Sequence, residues 1–284
     1  MEIIKVELPV NHEIGFAGCF HFGNGHQHLD GIQQYVNWLK AKGNRYGFLM
    51  GDISEAIHKS DKRHEDALHK NTILDQYADA VDMFKPVRKK LLGALAGNHD
   101  FKINSYGDFV DYNFCRPLGI PYGTYSSRIL IYTDEKKLQY KVFATHGNGT
   151  VRSVHADPVM REAAEKSQVK RKLTNERNAD CILNVIAHFH KSIIVSPYNE
   201  LHMIDDEIQI KQKYHISPSQ TAQFIPIDQR WYLAVPGFIR KYGVGNQSQA
   251  SSYVERAGMS PVELGFVTIL VKNTKIIEAK KIFV

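Results

Sequence analysis

Eight side chains able to bind a cation or move a proton, Cys19, His21, Asp52, Asn98, His99, His146, His188 and His190, stand at the ends of apolar runs. Gly97-Asn98-His99-Asp100 follows the run 91–96, and Cys19-Phe20-His21 closes the run 14–20. Asp52 follows Gly51 at the tip of 46–50, His146 follows 138–144, and His188-Phe189-His190 follows 181–187. Imidazoles, a carboxylate, an amide oxygen and a thiol suit divalent transition metals. A single carboxylate among neutral donors makes Asp52 the natural shared ligand. Two metals about 3.5–4 Å apart can clamp a phosphoryl group and activate a water between them. One histidine after a strand is ordinarily structural. Histidines after four separate runs point instead to a cluster.

The elements that must position these groups alternate. The run 14–20 reads as a central strand. Ile32, Tyr35, Val36 and Leu39 keep helical spacing and predict an amphipathic helix over 29–42. A strand over 46–50 follows, then a helix over 73–92 that Pro86 kinks or interrupts. Then comes the strand into Gly97, whose freedom allows a sharp turn. This order predicts helices on a sheet with parallel pairs. Parallel neighbours place their C-terminal ends on one edge, where ligands bind in open α/β sheets. Residues two apart on a strand face the same way, so Cys19 and His21 can meet, as can His188 and His190.

Further along, 106–115 predicts a helix ended by Arg116-Pro117, and 127–132 with 138–144 predicts a hairpin. The charged helix expected over 158–177 carries Lys170-Arg171-Lys172, read first as a solvated face and second as a phosphate contact. From residue 193 the chain turns to strands at 208–210, 231–235, 265–271 and 276–284, with Asn273-Thr274 marking a terminal hairpin. This half is expected to form a second sheet closing a sandwich. With no linker, repeat or low-complexity tract, 1–284 reads as one domain, and 196–229 as an insertion shaping the pocket. The stretch 54–70 is loop-like, with His58, His64 and His69 solvated.

Composition narrows the class. A chain of 284 residues with 43% hydrophobic and 23% charged content is that of a soluble globular protein with a sizeable core. No apolar run approaches the ~20 residues that span a bilayer. Met1-Glu2 leads into Ile3-Ile4-Lys5-Val6 without the pattern of a secretory signal, so a cytoplasmic protein is expected, with no membrane partner. Three widely spaced cysteines, Cys19, Cys115 and Cys181, argue against a disulfide framework. The net charge of +6 favours acidic or phosphorylated partners. No signal fixes an oligomeric state.

Taken together, Cys19-Phe20-His21, Gly51-Asp52, Gly97-Asn98-His99-Asp100, His146-Gly147 and His188-Phe189-His190 resemble, in order and spacing, the five motifs of the calcineurin-like metallophosphoesterases. The resemblance implies an α/β fold of two facing mixed β-sheets flanked by helices, a four-layer α/β/β/α sandwich with a two-metal site along one edge. It implies that His21, Asp52 and His190 hold the first metal, with position 19 a further ligand. It assigns Asp52, Asn98, His146 and His188 to the second, Asp52 bridging. His99 would stay off the metals and donate a proton or steady the phosphate, oriented by Asp100. An activated water would attack phosphorus in line. The two divalent ions would be manganese, iron or zinc, and the substrate a phosphate ester.

One position departs from the family, which has Asp where Cys19 stands. A thiolate can bind zinc or iron. The other reading is a buried cysteine packing as a small hydrophobe, with the first metal weakly held. His26 or His28 could compensate, although their expected place is the loop surface. Glu55, three residues after Asp52, could orient a ligand histidine or cap the following helix. Trp231 and Tyr232 read as core, and Arg240-Lys241-Tyr242 as a solvated loop with phosphate contact second. Phosphodiesters, as nucleic acid or nucleotide, are favoured over monoesters, because the chain is basic and its charged helix lies between the fourth and fifth motifs. The competing readings are a scaffold of this fold weakened by Cys19, and a nucleic-acid binder without chemistry.

Overall fold

The computed structural model describes residues 1–57, 72–103, 108–214, 219–243, 252–256, 258 and 260–284. His58, His64 and His69 lie outside the described residues. The strands are β1 (Glu2–Glu7), β2 (His12–Ala17), β3 (Arg45–Leu49), β4 (Leu91–Ala94), β5 (Ser126–Tyr132), β6 (Leu138–Thr145), β7 (Leu183–Ile186), β8 (Ile193–Val195), β9 (Leu201–Asp205), β10 (Ile210–Tyr214), β11 (Trp231–Ala234), β12 (Gly265–Lys272) and β13 (Lys275–Phe283). The helices are α1 (Leu29–Ala41), α2 (Ile73–Phe84), α3 (Asn98–Phe101), α4 (Arg116–Leu118), α5 (Pro158–Asn175) and α6 (Tyr253–Arg256).

Two sheets pack face to face. One has the order β13-β12-β2-β3-β4 and the other β1-β5-β6-β7-β11-β8. Between them lies an apolar layer drawn from both, with Ile14, Phe16, Phe48, Val267 and Ile269 meeting Ile129, Val142, Leu183, Val185 and Leu233. The outer face of the first sheet is covered by α1 and α2 through Tyr35, Val36, Leu39, Tyr77 and Phe84. The outer face of the second is covered by α5 through Val169 and Leu173, against Phe143 and Tyr232. The result is the four-layer mixed α/β sandwich. Burying both faces of both sheets explains why strands such as Leu91–Ala94 and Leu183–Ile186 are apolar without alternation.

Within the first sheet β2, β3 and β4 run parallel, and within the second β6, β7 and β11 do. Their C-terminal ends supply the chemistry-bearing loops. Among the described residues no helix is long and apolar enough to cross a membrane.

Several expectations change in the structure. The C-terminal half does not form a sheet of its own. β7, β8 and β11 join β1, β5 and β6, whereas β12 and β13 return to pair beside β2. β1, which gave no strong signal, is an edge strand exposed at Ile3 and buried at Ile4. The strand expected at 208–210 begins only at Ile210, because Glu207 takes a left-handed turn conformation (φ 68°) between β9 and β10. These two pair only with each other, and every residue of β9 is exposed.

Arg116-Pro117 does not end the helix before it. The chain winds through a π turn over Asp111–Cys115 into α4 and stops at Gly119 (φ 68°). The wide turn gives room just where the proline ring would press on the preceding turn. Pro86 acts as expected: α2 ends at Phe84, and Lys85–Lys90 continue as a 3-10 helix.

Candidate metal centre

The donors reach the edge on backbone that strand alternation does not describe. β2 ends at Ala17 and β7 at Ile186, so neither Cys19 and His21 nor His188 and His190 lie on a strand. All four, with Asp52, adopt left-handed backbone: φ is 54° at Cys19, 49° at His21, 50° at Asp52, 73° at His188 and 52° at His190. Such outliers cluster at functional sites. Hydrogen bonds between the loops hold the conformation. Cys19 N–H donates to the Gly51 carbonyl at 2.8 Å, Phe20 and His21 N–H to Asp52 at 2.9 and 3.0 Å, and Phe22 N–H to Ile53 at 2.9 Å.

The resulting cluster centres on Asp52, which is buried. Its Oδ1 accepts from the His99 backbone N–H at 2.8 Å. Its Oδ2 lies 3.2 Å from His146 Nε2 and 3.7 Å from His21 Nε2, between two groups of donors. His21 Nδ1 faces Glu55 Oε2 at 2.9 Å, and a carboxylate accepts, so Nδ1 carries the proton and Nε2 a lone pair. His21 Nε2 is buried without a hydrogen-bond partner. His146 Nδ1 lies 2.7 Å from the Met50 carbonyl and must also be the protonated nitrogen. The His146 Nε2 lone pair therefore faces two more acceptors, Asp52 Oδ2 and, at 3.1 Å, Asn98 Oδ1. His188 Nδ1 meets the same Asn98 oxygen at 2.8 Å.

This convergence of ring nitrogens and side-chain oxygens suits a cation. Side chains of Cys19, His21 and His190 form one group able to hold an ion, and those of Cys19, Asp52 and His146 another, with ligand atoms within 4.8 Å of one another. His21, Asp52 and His99 form a third. The donor set thus fits the metals that the chemistry of the sequence suggested.

Protonation preferences agree with this. Burial pushes His188 down to about 4 and His190 to about 3, aided by neighbouring histidines, so both imidazoles are neutral near pH 7. Burial would raise the Asp52 carboxyl, but His146, His99 and His21 outweigh it and hold Asp52 well below the usual range. Burial would also lower His21 and His146. Glu55 and Cys19 reverse this at His21, and Asp52 reverses it at His146, so both are raised. Without a metal, protons on these two rings relieve the clash of lone pairs that a cation would otherwise relieve.

His99 sits at the rim, half-buried, its ring edge-on to His21 at 4.6 Å between centroids. Its Nδ1 donates to the Glu55 backbone carbonyl at 2.8 Å, which leaves the ring's lone pair on Nε2. Asp100 does not orient it. The Asp100 carboxylate is fully buried and accepts from the N–H groups of Ile53 (3.0 Å), Ser54 (3.1 Å) and Gly97 (2.9 Å) and from the Tyr77 hydroxyl (2.8 Å). Those bonds tie the Asp52 loop to the Asn98 loop and leave no lone pair for His99. Glu55 does the orienting, through its carbonyl and through Oε1 at 3.7 Å.

Two contributors escaped sequence reasoning. Tyr77 on α2 carries no motif signal, and Tyr125 precedes β5. The Tyr125 hydroxyl donates to Gly147 at 2.6 Å while its ring lies 5.6 Å from that of His146.

His26 and His28 are not on the loop surface. Both are buried, and His28 Nδ1 accepts from Arg240 Nη2 at 2.6 Å and from the Gly31 N–H at 3.4 Å, capping α1. Arg240 is thereby turned to His28 rather than to solvent or phosphate. Tyr232 is core as expected, and Trp231 is half-buried. On α5, Lys170 pairs with Asp228, and Lys172 Nζ donates to the Asn148 carbonyl at 3.1 Å and lies 5.4 Å over the Phe189 ring, beside the His188 loop.

Comparison with known proteins bears on the same residues. No curated protein matches the chain. Among solved structures, the NAD nucleotidase of Haemophilus influenzae is similar at 12% identity with a TM-score of 0.38; the alignment covers 97% of this chain and 50% of that one. The chain thus spans about half the length of that protein, and at this likeness no activity transfers. The family model for calcineurin-like phosphoesterases matches residues 12–217, which contain every donor described above. The chain belongs to the calcineurin-like phosphoesterases.

Proposed function

We propose that the chain hydrolyses phosphodiesters, nucleotides or nucleic acid strands being the favoured class, at a centre of two divalent cations: manganese, iron or zinc. The observation that carries the two-cation reading is the place of Asp52 Oδ2, 3.2 Å from the His146 lone pair and 3.7 Å from that of His21. A single oxygen facing two donor groups suits a bridging ligand. His21, Asp52 and His190 would hold one cation, and Asp52, Asn98, His146 and His188 the other. Such cations supply charge neutralisation at the phosphoryl oxygens and a lowered pKa for the attacking water.

The chain's own groups do the rest. Glu55 fixes the His21 tautomer so that Nε2 faces the centre, a common outer partner of a ligating imidazole. The His99 N–H holds Asp52 Oδ1 and so fixes the carboxylate plane. His99 Nε2 is the atom that can give a proton to the leaving oxygen or hold a phosphoryl oxygen, since Nδ1 is committed to a carbonyl. Burial lowers the His99 pKa, so this ring takes up its second proton most readily when an anionic substrate is beside it. The preference for diesters is supported by the basic α5 helix, which presents Lys172 at the lip of the site.

Turnover of para-nitrophenyl mono- and diesters in the presence of manganese tests the reading. His99→Ala should lower kcat by about 10²–10⁴-fold while metal content stays at two per chain. Absence of turnover with every divalent ion, or preference for the monoester, would refute the activity or the diester assignment respectively.

A further inference from the structure

We propose that Cys19 is a thiolate ligand to the cation held by His21 and His190, so that this half of the centre selects zinc, iron(II) or cobalt over manganese. The inference rests on the metal-centre reading above and adds a donor at the position where the chain departs from its family.

Three observations carry it. First, Cys19 Sγ and ring nitrogens of His21 and His190 lie within 4.8 Å of one another, all three residues buried. In the same cluster His21 Nε2 has no hydrogen-bond partner. Second, Cys19 shares the left-handed backbone of the four other donors around it. That conformation costs an L residue roughly 1–2 kcal/mol. Cys19 borders the apolar layer between the sheets and at the same time lies within ligand reach of the two histidines, so its sulfur stands at the boundary between core and donor cluster.

Third, the segment after β11 closes over the pair. Phe238 N–H donates to the Cys19 carbonyl at 3.1 Å. A Cβ on Gly237 would lie 3.2 Å from Cys19 Cβ and 3.1 Å from His190 Cγ. The glycine thus permits a close backbone lid over Cys19 and His190.

Among the described residues, no group able to hold an ion includes Cys115 or Cys181. A free cysteine side chain is a thiol, and it binds a cation as the thiolate. On cation binding the S–H proton leaves to solvent as the sulfur–metal bond forms, and no electron changes hands. Soft thiolate donors favour zinc and iron, whereas carboxylate and water suit manganese and magnesium.

The test is a cobalt(II) titration of the full, metal-stripped chain, followed by near-ultraviolet absorption and by elemental analysis of bound metal. The expected result is a sulfur-to-cobalt charge-transfer band that grows with bound cobalt. It should be absent in Cys19→Ser and Cys19→Asp, whose folding is checked by circular dichroism. In competition, Cys19→Asp should shift preference toward manganese by at least about tenfold.

The wild-type spectrum decides the matter even where a variant fails to fold. Two cobalt ions bound without the band would overturn the role of Cys19 and leave the two-cation centre standing. A band that persists without Cys19 would overturn it as well. No cobalt bound at all would overturn both readings.

Discussion

Glu55→Gln is the perturbation that separates holding a metal from doing chemistry. Glu55 is buried, and its Oε2 accepts from His21 Nδ1 at 2.9 Å. The glutamine keeps the size and an acceptor oxygen, so the loop need not move and His21 keeps its tautomer. What is lost is the charge. A hydrogen bond to an ionised partner contributes about 1.5–3 kcal/mol, against about 1 for a neutral one. The carboxylate also makes the imidazole a better donor. The difference, roughly 0.5–2 kcal/mol with some of it offset by easier burial of a neutral group, corresponds to metal affinity about 2- to 30-fold weaker.

The loss should fall on the cation bound through His21 and leave the other, because His146 and His188 make their bonds to Met50 and Asn98. Catalysis at saturating metal should drop far less than affinity, since His99 Nδ1 is held by the residue-55 backbone carbonyl, which the substitution keeps. Calorimetric titration of the metal-stripped chain reads two binding steps, and steady-state rates across a metal series read kcat separately. Unchanged affinity in both steps would refute the role given to Glu55. A loss of kcat as large as that of His99→Ala, with affinity intact, would mean that Glu55 acts on the proton and not on the metal.

Two further outcomes follow from packing and protonation. Gly97→Ala places a Cβ 2.1 Å from Asp52 Oδ1 and 2.2 Å from Asp52 N at an ordinary φ of −102°, so the harm is steric; elemental analysis should find the bridging carboxylate's metals depleted, with stability lowered by about 1–3 kcal/mol, and full metal content would refute the close approach. His12 is buried away from the centre, Nδ1 donating to Pro9 at 2.7 Å and Nε2 accepting from Tyr140 at 2.6 Å, and burial holds its pKa at about 4 against 6.5 unfolded. The unfolded chain takes a proton that the folded chain refuses, so this group's contribution is full above about pH 6.5 and falls by up to about 3 kcal/mol as pH drops toward 4. Denaturant titrations near pH 7.5 and 4.5 should show that pH dependence reduced in His12→Gln, and equal dependence in both chains would refute it.

Most of the order of elements was legible because apolar periodicity reports burial, and burial on both faces of a sheet leaves an uninterrupted run. The helix at Leu29–Ala41 announced itself through apolar spacing, and that at Pro158–Asn175 through its polar, charged run. What the pattern cannot report is which sheet a strand joins. β1 and β12 are ordinary edge and inner strands by sequence. Only contacts at long sequence separation, Ile4 beside Ile129 and Ile269 beside Ile14, assign them to opposite sheets. For the same reason Tyr77 and Tyr125 were invisible: each acts through one long-range bond, to Asp100 and to Gly147.

The donors themselves were legible as types and misread as geometry. Cys19 and His21, and likewise His188 and His190, were expected to converge because alternate residues of a strand share a face. They converge after the strands have ended, with each donor in left-handed backbone. Left alone, those residues would relax to the β or right-handed region. They are held because neighbouring loops bond to one another: Gly51, Asp52 and Ile53 accept from residues 19–22, and the Asp100 carboxylate collects the N–H groups of Ile53, Ser54 and Gly97. Asp100, which read as a partner for His99, is instead the clamp that sets the strained loops in place. The aspartate of Gly97-Asn98-His99-Asp100 therefore acts one step behind the chemistry, and removing it should disorder the donors before it alters any proton transfer.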